Sequence, residues 1–202
     1  MAYSRSDQAT LLGVALASIR CGLHTGRALQ PDAGDYPPVL AETRASFVTL
    51  KQNDMLRGCI GSLEPCTRLV NSVADNAFAA AFRDPRFPAL TAPELADLTI
   101  QLSVLGDLQP VACSSEADLL EQLQAGIDGW VIEDQGCRGT FLPSVWESLP
   151  DPRQFLEHLK NKAGLAGDHW SDTIEVWRYS TESFSADARE IEKNSVEKST
   201  AE

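Results

Sequence analysis

The chain has 202 residues, 43% hydrophobic and 23% charged, a composition that excludes a fibrous or wholly disordered polymer and supports a protein with its own buried core. That length sets one domain, or one domain with a subsidiary lobe. A net charge of −12 with only five lysines opposes both a general nucleic-acid binder and docking on anionic lipid.

Leu12, Ala15, Leu16, Ile19 and Leu23 recur at helical spacing and predict a helix over 7–23, with Ser6 as its N-cap. A Gly-, Pro- and Asp-rich stretch over 26–38 reads as a loop. Ser46 to Lys51 reads as a strand that turns at Asn53-Asp54 into a second strand over 56–61, ended by Glu64-Pro65. Leu69, Val70, Val73, Ala77 and Ala81 mark a helix over 67–82, whose apolar run 77–82 suits a central, buried position. Two prolines stiffen the loop Asp84-Pro85-Arg86-Phe87-Pro88.

Thr91 to Glu94 fits a capping box that opens a short helix. Leu98, Ile100, Leu102 and Val104 then alternate with polar residues as a half-buried strand. A helix follows from Ser114 or Ser115 to about Gln124, and a second hairpin pairs 129–133 with 137–142 through Asp134-Gln135-Gly136. Asp151-Pro152 opens a helix that Gly164 closes, and a last strand runs over 173–179. From about Ser185 the chain is polar and is expected to be disordered, giving a domain over 1–185 and a tail over 186–202. Hairpins interrupted by helices predict an α+β fold, with a largely antiparallel sheet and flanking helices.

The chemistry-bearing stretch is Leu56-Arg57-Gly58-Cys59-Ile60-Gly61. On a regular strand Arg57 and Cys59 share one face, with Leu56, Gly58 and Ile60 on the other. A guanidinium beside a thiol favours the reactive thiolate. There are five cysteines, an odd number, and residues 1–10 lack an apolar signal region, so a cytoplasmic protein with reduced thiols is expected. No apolar run approaches the roughly 20 residues of a membrane span. Cysteine and histidine spacing predicts no metal site, and the absence of Walker A, GxGxxG and HExxH patterns predicts no nucleotide cofactor.

The hexapeptide resembles the signature of the AMMECR1 family. The resemblance extends in order through Phe47–Leu50, Glu64-Pro65, Asn76–Phe82, Asp84–Pro88, Gly129–Glu133, Arg138–Pro143 and Lys162–Leu165, covering roughly 8–184. The form it is most similar to is the bacterial and archaeal AmmeMemoRadiSam system protein A, found beside a Memo-type protein and a radical-SAM protein. The resemblance implies an α+β fold with a larger and a smaller lobe and a cleft between them, and those two proteins as partners. It implies no particular reaction, and no role is carried onto Cys66 or Cys137.

Cys59 reads either as a nucleophile or adduct-bearing thiol helped by Arg57, or as a small buried residue between two packed glycines. Glu64 is a candidate acid or base, its alternative being a turn cap or an arginine partner. Gly58 and Gly61 allow close approach of a ligand. Arg57, Arg86 and Arg138 either converge to bind a carboxylate or phosphate, or make separate ion pairs, Arg86 with Asp84 or Glu94. Asn76 either faces the cleft or bonds a loop carbonyl. Two functions follow: a small Cys-dependent enzyme or enzyme component acting on an anionic small molecule or protein side chain, or a non-catalytic partner-binding module.

Overall fold

Helix α1 (Arg5–Thr25) begins earlier than the apolar periodicity predicts, because Ser4 and Asp7, rather than Ser6, form its reciprocal capping box. This is a computed structural model, describing residues 3–200 with side chains through 194. Strands β1 (Ser46–Gln52) and β2 (Met55–Gly61) form the expected hairpin. Asn53 and Asp54 both take positive φ, 51° and 61°, as a type I′ turn requires. Helix α2 (Leu69–Phe82) buries Leu69, Val70, Val73, Ala74, Ala77, Phe78, Ala80 and Ala81, which fits its nearly all-round apolar sequence. The short helix at Ala92–Asp97 is 3-10 in form and keeps the predicted Thr91–Glu94 box. Strand β3 (Leu98–Leu105) pairs antiparallel with β1.

The hairpin carries one irregularity. Gln52 pairs with Met55 and Lys51 with Leu56, but Leu50 pairs with Gly58, leaving Arg57 as an extra residue in a β-bulge. A plain hairpin with this turn would set Cys59 opposite Val48, which faces the helices and is fully buried. The bulge shifts the register by one, so Cys59 sits opposite Thr49, on the face turned away from α2. It also corrects the regular alternation expected for the hexapeptide. Leu56 lies opposite Lys51, on the same face as Cys59, while Gly58 turns to the helix.

A second unit begins at Gly106 and ends at Thr181, inserted into the first, which spans Met1–Leu105 and Glu182–Glu202. It contains β4 (Gln109–Pro110), α3 (Glu116–Gln122), β5 (Gly129–Asp134), β6 (Cys137–Phe141), α4 (Pro152–Ala163) and β7 (Glu175–Tyr179). Its sheet has the order β4-β7-β5-β6, with antiparallel pairs. Its core gathers Trp130, Ile132, Trp146, Phe155, Leu156 and Leu159, with Trp146 stacked on Phe155 at 3.7 Å between ring centroids.

The chain returns to the first unit through β8 (Thr181–Asp187) and α5 (Ala188–Thr200), completing the sheet order β2-β1-β3-β8. The tail expected to be disordered from 186 is therefore a strand end and a helix as far as Thr200, while residues 201–202 lie outside the described residues. The physical reason is sparse but well-spaced apolar side chains: Ala188 and Ile191, three apart, are buried in the first core. That core also holds Leu11 and Ile19, Val48 and Leu50, Val73 and Ala77, and Ile100 and Leu102. Among the described residues no helix is long and apolar enough to cross a membrane.

Two glycines set the closeness of packing in the first unit. A Cβ at Gly22 would lie 2.4 Å from the Phe82 ring, and one at Gly58 would lie 2.1 Å from the Ala80 carbonyl oxygen. The second obstacle is helix backbone and cannot step aside. We therefore expect Gly58→Ala to lower stability by about 3 kcal/mol through overpacking. A urea-denaturation midpoint unchanged from wild type would contradict this contact.

Candidate functional site

Strand β2 is the outer strand of its sheet, so its free edge needs partners for its backbone groups. At Cys59 the loop after α2 supplies them. The Cys59 amide donates to Asp84 Oδ2 at 2.9 Å, and Arg86 Nη2 donates to the Cys59 carbonyl at 3.2 Å. Asp84 also accepts from the Arg86 amide at 3.1 Å, from its Nε at 2.9 Å and from its Nη2 at 2.7 Å. The aspartate is buried, whereas the Arg86 side chain is 52% exposed. The hydrogen bonds from Arg86, then those from the Cys59 and Arg86 amides, hold the Asp84 carboxyl well below the usual carboxylate range although burial opposes them. Arg86 is pushed above its usual value, chiefly by hydrogen bonding to Asp84, with neighbouring Cys59 adding to the effect.

The thiol is half-buried on the sheet face, where Thr49 Oγ1 donates to Sγ at 3.3 Å. Thr49 was not visible as a site residue, because the unbulged register places it opposite Gly58. Asp84 was visible only as a partner for Arg86. Its bond to the cysteine backbone needs the loop folded against the strand.

Arg57 is buried and does not bond Cys59. Its Nε donates to Glu94 Oε1 at 2.8 Å and its Nη2 to Oε2 at 3.4 Å, while Nη1 is buried without a partner. Glu94 also accepts from the Thr91 amide and hydroxyl, both at 2.8 Å. Hydrogen bonding from Arg57, then from Thr91, lowers the Glu94 carboxyl to about 2. The two guanidinium groups nonetheless approach one ring: Arg57 lies 6.0 Å and Arg86 5.5 Å from the Phe87 centroid.

The remaining predicted residues each make contacts within their own unit. Asn76 Nδ2 donates to the Ser46 carbonyl at 3.0 Å, tying α2 to the start of β1. Glu64 is exposed in the turn after β2. A Cβ at Gly61 would meet the Phe47 ring at 2.3 Å, so this glycine makes room for packing. Arg138 belongs to the second unit, where it lies 3.5 Å from Glu133 and over the Trp177 ring.

The second unit holds a polar cluster that sequence reasoning missed. Asp134, buried at the end of β5, accepts from Ser171 Oγ at 2.8 Å and Thr173 Oγ1 at 2.7 Å, and pairs with His169 Nε2 at 2.6 Å. His169 first, then the two hydroxyls, lowers its carboxyl to about 2. Serine and histidine both bond the aspartate and not each other, so the group clamps the 169–173 segment to the hairpin and is not a proton relay. Among the described residues no group of three or more His, Cys, Asp or Glu side chains could hold a metal ion.

The fold is thus that of an α+β protein with two antiparallel sheets, one of which presents a braced cysteine on its edge strand. The chain belongs to the AMMECR1 family, whose model matches residues 12–184. It is 36% identical over 187 residues to a protein of Methanothermobacter thermautotrophicus, covering 91% of this chain and 96% of that one. It is 35% identical over 162 residues to a protein of Thermotoga maritima, covering 79% and 87%. A crystal structure of an uncharacterized protein from Pyrococcus horikoshii is similar with a TM-score of 0.80 at 32% identity, covering 88% of this chain and 90% of that one.

The two arginine-bound carboxylates make the first unit acid-labile. A carboxyl whose pKa is depressed on folding adds stability above its unfolded value and loses it as pH falls towards the folded one. For Glu94, lowered from 4.5 to about 2, the contribution is complete above about pH 5 and disappears towards pH 2. It is on the order of 3 kcal/mol. Urea midpoints between pH 7 and 3 should fall with acid, and less steeply in Glu94→Gln. Equal slopes would refute the assignment to Glu94. In Asp84→Ala the Cys59 amide loses its acceptor and its hydrogen exchange should accelerate about tenfold or more, read by NMR.

Proposed function

We propose that the protein is a small Cys-dependent enzyme, or a component of one, acting on an anionic small molecule or a protein side chain. In this reading Cys59 is the nucleophile and Arg86 the anion-binding cation. Thr49 donates to the sulfur, and Asp84 is a positioning residue that holds Arg86 and the Cys59 backbone together. The observation that carries the reading is the bond from Arg86 Nη2 to the Cys59 carbonyl at 3.2 Å, made by a side chain still 52% exposed. A fixed yet solvent-reachable guanidinium beside a half-buried thiol supplies counter-charge for a thiolate or an anionic substrate. In this reading Arg86 takes the role first expected of Arg57, because Arg57 is committed to Glu94. Memo-like and radical-SAM proteins are the proposed partners, on the family resemblance alone, and the cytoplasm is the proposed location.

The rival reading, a non-catalytic accessory module, is favoured by the hairpin tip. Met55 is 73% and Leu56 42% exposed, and Leu56 shares the face that carries Cys59. Iodoacetamide alkylation followed residue by residue with mass spectrometry separates the two. At neutral pH an activated Cys59 alkylates faster than exposed Cys66, and Arg86→Gln slows it about threefold or more while leaving Cys66 unchanged. If Cys59 reacts only after denaturation, or if Arg86→Gln has no effect, the enzyme reading fails and the accessory reading stands.

A further inference from the structure

A groove of about 460 Å³ runs along α1 in the first unit, lined by Arg5, Ala9, Gly13, Ala17, Tyr36 and Ile191 among others. Its volume lies in the range of small-molecule sites, and its walls mix apolar side chains such as Leu12, Val14 and Leu29 with the polar Gln8, Thr10 and Asn194. Ala9, Gly13 and Ala17, four residues apart, place three small side chains of α1 along one line. Gly13 costs helix stability in the middle of α1, yet a Cβ there would meet nothing within 4 Å. Packing against the described residues therefore does not explain this glycine, whereas Gly22 further along the same helix is pressed against Phe78 and Phe82. Gly13 lies in the lining of the groove, where the lack of a side chain leaves space.

The charge pattern says what would fill it. In a chain of net charge −12, Arg5 is the one charged residue among the described residues lining the groove. Arg5 is exposed, and neither its guanidinium nor the Tyr36 hydroxyl in the same wall has an ion pair or hydrogen bond with the described residues. Arg5 stands in the first turn of α1, where the helix dipole disfavours a cation, so helix stability does not account for it.

We propose that this groove binds an amphipathic organic anion, its apolar body over Gly13 between α1 and α5 and its carboxylate or similar head at Arg5. The proposal is independent of Cys59. The test is calorimetric titration of the full chain with decanoate, and with decyltrimethylammonium as a probe of equal chain length and opposite charge. Decanoate is expected to saturate one site with a Kd below about 1 mM, at least about fivefold tighter than the cation. Arg5→Gln should remove that difference. Gly13→Leu, directed into open space, and Ala17→Leu, at an exposed position lining the groove, should each weaken decanoate about tenfold, with circular dichroism confirming that each variant is folded. The proposal is overturned if decanoate does not saturate, if the cation binds equally well, or if neither filled variant changes the affinity.

Discussion

The one-residue bulge at Arg57 is the constraint on which the candidate site depends. Side chains on a strand alternate, so a slip of one residue exchanges the two faces of everything beyond it. Without the extra residue, Cys59 would turn with Val48 into the core and Gly58 would lie opposite Thr49. With it, glycine meets the Ala80 carbonyl, where no side chain fits, and the thiol emerges on the other face. The ion pair of Arg57 with Glu94 anchors the bulged residue, and the Thr91–Glu94 capping box fixes the carboxylate that receives it. A buried ion pair of this kind is weak ground for claiming net stability, but removing one partner would strand the other.

The loop after α2 completes what the bulge begins. Asp84 and Arg86 take the place of a missing neighbouring strand at one residue of β2, accepting from its N–H and donating to its carbonyl. This blocks strand addition at that point and holds a guanidinium where the cysteine is. The two arginines of the first unit therefore have different duties, although both touch the Phe87 ring: Arg57 is structural and buried, Arg86 is braced and open to solvent.

The second unit solves a similar problem by the same means. Asp134, buried at a hairpin end, collects a histidine and two hydroxyls and so fastens the segment that leads into β7. In each unit one low-pKa carboxylate organises an irregular stretch that the apolar core cannot reach. Both arrangements are satisfied networks, the form in which buried polar groups give a single conformation rather than an unpaired penalty.

Much of this fold was legible in the residue order. The Asn53-Asp54 turn, the alternation over 98–102 and the caps at Ser115 and Asp151 each act through neighbours a few residues away, and each appears where expected, although Ser103 is buried against expectation. Helix α5 was not legible, because its few apolar residues are diluted in polar sequence and gain their burial only from the first core. The Arg57–Cys59 pairing failed for a related reason: alternation is a local rule, and the bulge overrides it once the backbone of β2 must fit against α2. By itself the sequence determined the family, the α+β class and the two stretches, 56–61 and 84–88, that carry the candidate site. Only the tertiary structure decided which arginine meets the cysteine, because that choice rests on the strand register and on hydrogen bonds between residues 25 and 27 positions apart, which no local pattern encodes.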